Sequence, residues 1–381
     1  MKTLVVTNDF PPKVGGVSHY VDQIVRRFPG NRVTVLAPAS QGAAAFDAAY
    51  PHEVVRWGSK VLLPTPGARD RILDLVRAYR PDVLVFGAAL PFARLGAAVR
   101  RRTGVPFATF THGVEVGWGR LPAGRAVLRG ISREALFLTT VSGWTERVLR
   151  RAVGPGPRIE LLPPGVDTTL FHPDVSDAAV RARHGLDGNR VICCVSRLVP
   201  RKGQDQIIRA LPEITAEFPD ASFLVVGSGR YETRLRSLAR ERRVADRVLF
   251  AGEVESAALP AYFRAGDVFA MPCRSRHFGL EVEAIGVVFL EALAVGRPSV
   301  VGNSGGAPEV ARDGEAGVVV DGHSAGSVAQ GILTLFRNPE RAEKMGRAGA
   351  EWIHRDLSWD AIAERLRDLL AGGLASGPHQ V

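Results

Sequence analysis

Thirteen short apolar runs, separated by stretches of helical character, constrain this chain more than any other feature of its sequence. The first half holds TLVVT, RVTVLA, HEVVRW, DVLVF, PFATF, LFLTTVS and RIELLP. The second holds VICCVS, SFLVVG, RVLF, DVFAMP, PSVVG and GVVV. These runs do not alternate apolar with polar, so both faces of each strand must be covered, the condition of a parallel sheet packed between helices. SVAQGILTLFRN, with apolar residues at helical spacing, predicts one covering helix. The expected fold class is α/β, with doubly wound parallel sheets.

The strand series begins twice. Residues 161–190, LLPPGVDTTLFHPDVSDAAVRARHGLDGNR, carry turn-forming residues and no long apolar run, and a new strand opens at Val191. A chain of 381 residues exceeds one ordinary core, so two Rossmann-like domains are expected, joined near residue 170. The tail after Gly372 reads as frayed.

Hydrophobic content of 46% and charged content of 23% are those of a soluble globular protein. Cys193 and Cys194 are neighbours on one strand and point to opposite faces, so they are expected as buried thiols rather than a bridge. The opening MKTLVVTNDF is too short for a signal sequence and no run of eighteen apolar residues occurs, which together predict a cytoplasmic protein. The net charge is +10. Between Arg94 and Arg133 eight arginines face a single acid, Glu115, a balance that suits an anionic partner such as nucleic acid or an acidic membrane surface. Only five of the 49 basic residues are lysine, so a general arginine bias would give the same picture. No nucleic-acid-binding motif is present.

Four segments carry candidate chemistry. TNDFPPKVGGVSHYVDQIVRRF, residues 7–28, ends a strand at Thr7, passes Gly15 and Gly16, and starts a helix near Val17. Such glycines let backbone N–H groups approach a phosphate at the positive end of a helix, although an ordinary tight turn would be written the same way. The dinucleotide pattern G-x-G-x-x-G is absent. SRLVPRKGQDQIIRAL, residues 196–211, places Arg197 and Lys202 on one turning segment, where fork and point charge can converge on a diphosphate. Arg201 beside them is a third candidate, read as solvated.

EVEAIGVVFLEALAVGRPSVV, residues 281–301, sets Glu283 and Glu291 eight positions apart in an apolar run. The stretch from Val287 to Val295 predicts a helix closed by Gly296 and Pro298, with Glu283 in the loop before it and Glu291 on its second turn. Eight helical residues span about 12 Å, roughly the reach from a sugar ring to the ribose of a nucleotide sugar. Ionised carboxylates only accept, so each would hold a hydroxyl pair, with the N–H groups of Gly286, Val287 and Val288 facing the phosphates between them. A buried salt bridge would also account for either glutamate. In FATFTHGVEVGW, His112 follows a strand end; it is either a structural histidine or a group that bonds a sugar hydroxyl or positions an acceptor. No Asp-x-Asp pair or metal-spaced Cys/His cluster occurs, so the charge of a leaving diphosphate would fall to Arg197, Lys202 and helix N-termini.

In this order, the double glycine, the His-Gly, the Arg/Lys loop and the two glutamates resemble the retaining glycosyltransferases of family 4, which have the GT-B fold. TNDFPPKVGG, FGAALP, EVGWGRLP, SRLVPRKGQD, VGSGRYETRLR, FAMPCRSR, VEAIGVVFLEA and GNSGGAPE are similar in particular to the actinobacterial phosphatidylinositol-mannoside mannosyltransferases, best of all to the kind that adds a second mannose from GDP-mannose. The resemblance implies two Rossmann-like halves facing each other across a cleft. Residues 1–170, with the last helix returning as 356–381, would take the acceptor, and residues 171–355 the nucleotide sugar.

It further implies that Gly16 offers backbone donors to the diphosphate while Arg197 and Lys202 carry its charge. Glu291 would bind the ribose, Glu283 the mannose hydroxyls, and His112 would sit beside the reacting carbon. No metal ion or other cofactor is implied. The leaving phosphate would take the proton of the incoming hydroxyl on the same face, keeping the anomeric configuration. The implied acceptor is a glycophospholipid at the inner membrane surface, in keeping with the basic first half. Two departures stand out: Val114 replaces the second histidine of the usual THGHE, which leaves the acceptor open, and HFGLEVE differs from the usual glycine-rich form. A soluble family 4 enzyme using another nucleotide sugar on a small cyclitol, an oxidoreductase and a non-catalytic sugar-nucleotide sensor are the competing readings.

Overall fold

The computed structural model describes residues 1–30, 32–113 and 115–376, apart from the side chains of Val116 and Asp313. All of the apolar runs are strands. The first half forms one seven-stranded parallel sheet from β1 (Thr3–Val6), β2 (Val33–Pro38), β3 (Glu53–Trp57), β4 (Val83–Phe86), β5 (Phe107–Thr109), β6 (Leu138–Thr140) and β7 (Ile159–Leu161). The second half forms a six-stranded parallel sheet from β8 (Arg190–Val195), β9 (Ala221–Val226), β10 (Val248–Gly252), β11 (Val268–Met271), β12 (Ser299–Gly302) and β13 (Gly317–Val320). Every residue of β1, β4, β9 and β11 is buried, which is why these strands show no polar alternation.

Strand order is β3-β2-β1-β4-β5-β6-β7 in the first sheet and β10-β9-β8-β11-β12-β13 in the second. Each order reverses beside its first strand, between β1 and β4 and between β8 and β11. Ligands of open parallel sheets bind outside the carboxyl ends of the strands at such a reversal. The loops after β1, β8 and β11 are those that carry Gly15 and Gly16, Arg197 and Lys202, and Glu283.

The helices that bear on the site are α1 (Gly16–Arg26), α2 (Arg94–Thr103), α3 (Pro122–Glu134), α4 (Gln204–Glu217), α5 (Val287–Ala294) and α6 (Trp359–Ser376). α1 buries Tyr20, Val21, Ile24 and Val25, one stripe of an amphipathic helix. α5 instead buries Phe289, Leu290, Ala292, Leu293 and Ala294, almost its whole circumference, so it is a core helix. α6 continues past Gly372 to Ser376, four residues beyond where fraying was expected. Its Trp359 is buried, with its ring edge-on to Tyr20 at 5.6 Å.

The chain divides into two compact units, Met1–Gly165 with the segment from Trp359 onward, and Val166–Ser358. The boundaries placed from sequence at 170/171 and 355/356 both fall inside the second unit. The reason is a backbone pairing that composition does not show: Val166 bridges Ser358 in parallel and its N–H donates to Leu357 O at 2.8 Å. Cys193, Cys194 and Cys273 are all buried free thiols.

Candidate active site

In the second unit the loop after β8 and the loop after β11 meet through charge. Lys202, 9% exposed at its side chain, donates from Nζ to Glu283 Oε2 at 2.7 Å. Arg201 donates from Nη1 to the same oxygen at 2.6 Å. Arg201, expected to be solvated, is instead one of two cations closing on a carboxylate. Burial pushes the Glu283 carboxyl up, but Lys202 and then Arg201 outweigh that and hold it below the ordinary glutamate range. Both cations share Oε2. Among the described residues nothing donates to Oε1, which leaves one acceptor oxygen beside two positive charges.

The backbone around Glu283 is pinned as firmly as its side chain. Its N–H donates to Ser304 Oγ at 3.2 Å, and its carbonyl accepts from Gly306 N–H at 3.0 Å. Gly305, at φ +59°, passes so close that a Cβ there would lie 2.1 Å from Glu283 O. The run GNSGGAPE thus holds the loop after β11 by close approach, which explains its glycines. Arg274, on the same loop, donates from Nη2 to both carboxylate oxygens of Asp205 at 3.0 Å, and both side chains are buried. Asp205 lies in the first turn of α4, so this pair ties the Glu283 loop to the helix that follows Lys202.

Glu291 stands in a contrasting state. It lies on the second turn of α5, half-buried, and no described residue hydrogen-bonds or pairs with its carboxylate. Removal from water without a cation pushes its carboxyl up to about 7. The ionised form is the one that folding disfavours, so this group lowers stability as pH rises from the ordinary glutamate value of about 4.3 to about 7. Replacing it, as Glu291→Gln, is expected to remove that slope and leave the variant at least as stable as wild type at pH 8, measured by thermal unfolding between pH 5 and 8. At the start of α5, Gly286 adopts φ +83°, and the N–H groups of Gly286, Val287 and Val288 have no acceptor among the described residues. They form the positive end of the helix. Arg197, at the end of the same sheet, is exposed, and no side-chain hydrogen bond or ion pair engages it among the described residues.

The first unit places its candidates at the carboxyl ends of β1 and β5. α1 begins at Gly16, one residue earlier than expected, with Gly15 as its N-cap; both are exposed, and a Cβ on either would meet open space. His112 is half-buried, its ring edge-on to Tyr20 at 5.0 Å and its Nε2 2.8 Å from Gly87 O. A carbonyl only accepts, so Nε2 carries a proton toward Gly87 O, and in the neutral ring Nδ1 is the acceptor. The His112 N–H donates to Glu115 Oε2 at 3.1 Å, so Glu115 shapes the turn that presents the imidazole. Val114 lies outside the described residues.

Sequence reasoning missed three contributors: Arg201 as a partner of Glu283, the Arg274–Asp205 pair, and Ser304. Their partners are 82, 69 and 21 residues away, beyond any local pattern. The only written signals were FAMPCRSR and GNSGGAPE, quoted as similarity without a role. No helix among the described residues is long and apolar enough to cross a membrane.

Known proteins extend this geometry. Residues 14–170 match the model of Glycosyltransferase Family 4 and residues 176–352 that of Glycosyl transferases group 1. The chain is 44% identical, over 97% of its length and 98% of the relative's, to a Mycobacterium tuberculosis protein named GDP-mannose-dependent alpha-(1-6)-phosphatidylinositol monomannoside mannosyltransferase. It is 40% identical, over 97% of both chains, to a Corynebacterium glutamicum protein named for the monoacylated form of the same acceptor. Among solved structures, the Anabaena protein HepE in complex with UDP superposes with a TM-score of 0.82 over 98% of this chain and all of that one, at 19% identity, a likeness of fold. With both halves matched and relatives above 40% identity end to end, this chain belongs to the family 4 glycosyltransferases and is a hexose-transferring enzyme with two parallel-sheet Rossmann-like units.

Proposed function

We propose that the chain is a retaining α-mannosyltransferase that moves mannose from GDP-mannose to a phosphatidylinositol monomannoside at the inner face of the cell membrane. The observation that carries this reading is the end-to-end 44% identity with a protein of that name, which includes both the donor half and the acceptor half. The geometry of the second unit supplies the chemistry. A β-phosphate beside Lys202 and Arg197 has its charge met by an ammonium and a free guanidinium, with the unpaired N–H groups at the start of α5 as further donors. Glu283 Oε1, next to Lys202, takes a mannose hydroxyl, and Glu291, on α5, takes the ribose hydroxyls.

The bond that breaks joins the anomeric carbon to the β-phosphate oxygen, and both electrons leave with GDP. The bond that forms joins that carbon to the acceptor oxygen on the same face, and the hydroxyl proton passes to the departing phosphate. Lys202 and Arg197 stabilise charge that grows on the phosphate as this happens, which is where fixed cations lower a barrier most. His112, with its ring held by Gly87 O and its backbone N–H by Glu115, is the polar group that the first unit offers to a sugar or acceptor hydroxyl. No step calls for a metal ion.

The test supplies GDP-mannose and UDP-glucose separately, each with phosphatidylinositol monomannoside in acidic phospholipid vesicles, and reads the lipid product by mass spectrometry. One hexose is expected to be added from GDP-mannose only, at a rate unchanged by EDTA. Transfer from UDP-glucose alone would refute the donor, and loss of transfer on chelation would refute the metal-free site.

A further inference from the structure

Two cavities of the first unit are not used by the donor chemistry, and they adjoin. One, of about 420 Å³, is walled by Leu90, Pro91, Trp118 and Val127 and reaches Asp9 and His112 at one end. The other, of about 360 Å³, lies against Ala97 on α2 and Ala126 and Gly130 on α3. Arg94 and Val127 line both, so the two are one trench running from His112 out along the groove between α2 and α3.

The order of groups along this trench is specific. The polar side chains Asp9, His112 and Glu115 line the inner part, Arg94 stands where the two cavities join, and the outer part is otherwise hydrocarbon. Arg94 is exposed, and no hydrogen bond or ion pair engages it among the described residues. The two acids that line the same cavity are engaged elsewhere: Asp9 pairs with Lys13 at 2.6 Å and Glu115 accepts from the His112 backbone N–H. Trp118, which lines the first cavity, is left 51% exposed. A large apolar side chain in the same cavity as the unpaired Arg94 suits a surface where one side is hydrocarbon and the other phosphate.

We propose that this trench holds one acyl chain of the acceptor lipid between α2 and α3, with its phosphodiester on Arg94 and its polyol directed to His112. The inference rests on the lipid acceptor of the proposed function and adds where the tail goes. Charge complementarity selects the occupant: a neutral apolar segment would leave Arg94 unanswered, and a free polyol phosphate would leave the outer groove empty.

Gly130 gives a clean probe. A Cβ placed there meets nothing within 4 Å, so a side chain enters the groove without disturbing the backbone, and leucine favours the helix over glycine. With GDP present, dihexanoyl phosphatidylinositol below its micelle threshold and glycerophosphoinositol are titrated calorimetrically into wild type, Gly130→Leu, Ala126→Leu and Arg94→Ala. Wild type is expected to bind the acylated probe at least tenfold more tightly. Either leucine variant abolishes that preference and leaves the affinity for glycerophosphoinositol unchanged, while Arg94→Ala weakens both probes by a similar factor. Equal affinity of wild type for both probes, or leucine variants that weaken both alike, overturns the proposal. Failure of the proposed function is read separately: wild type that shows the acyl preference yet transfers no mannose refutes the reaction and not the trench.

Discussion

Lys202→Ala is expected to lower kcat for mannose transfer about a hundredfold, close to 3 kcal/mol, the usual cost of removing one charge-assisted contact that strengthens in the transition state. The fold should tolerate the change. Glu283 has two cations on Oε2, and without Lys202 it keeps Arg201 at 2.6 Å, so no buried carboxylate is orphaned. The thermal midpoint is therefore expected to move by only a few degrees. Lys202→Arg should recover part of the rate, because the positive charge returns without the same point geometry. Steady-state kinetics with GDP-mannose, beside a thermal melt, reads both quantities. Unchanged kcat in Lys202→Ala would remove Lys202 from the diphosphate site.

Glu283→Ala is expected to be worse in both respects. The same cluster is asymmetric: losing the acid leaves Arg201 and the buried Lys202 facing each other with no counter-charge. Breaking a buried pair this way costs about 3–5 kcal/mol of stability. Transfer should fall by at least the hundredfold of Lys202→Ala, because Oε1 is lost as well. Glu283→Gln separates the two effects, since it keeps the shape and an acceptor oxygen but not the charge. The carboxyl of Glu283 is held below its ordinary value in the folded chain, so its contribution is present above the unfolded value of about 4.3 and is lost as pH falls through the lower folded value. The stability gap between wild type and Glu283→Gln should accordingly shrink under acid, below about pH 4. A gap that stays constant with pH would mean that Glu283 is not the ionised partner of Lys202.

These two glutamates show what a sequence can and cannot disclose. EVEAIGVVFLEALAVG places Glu283 in a loop and Glu291 on the second turn of a core helix, and both positions were legible from the apolar spacing and from Gly296 and Pro298. Their opposite electrostatic states were not. Glu283 is held ionised by cations that arrive from the loop after β8, and Glu291 is pushed toward neutrality by burial, with no cation paired to it among the described residues. Local pattern reports which face of an element is buried; it does not report which charge another element brings to it. The same limit explains Arg201, read as solvated while its acid, Glu283, lies 82 residues further along the chain.

The strands were legible for a physical reason. A parallel strand covered on both faces must be apolar throughout, and VICCVS or SFLVVG can be little else once turn residues bound them. Domain boundaries were less so, since Val166 joins the second unit by pairing with Ser358, a contact between residues nearly two hundred positions apart.

The account stands or falls on how the Lys202–Glu283 cluster meets its ligand, and a crystal structure of the enzyme with GDP-mannose reads this directly. It should show the β-phosphate within hydrogen-bond distance of Lys202 and Arg197, a mannose hydroxyl on Glu283 Oε1, and the ribose on Glu291. A nucleotide bound elsewhere, with Glu283 still closed on Arg201 and Lys202 and no sugar at Oε1, would contradict it.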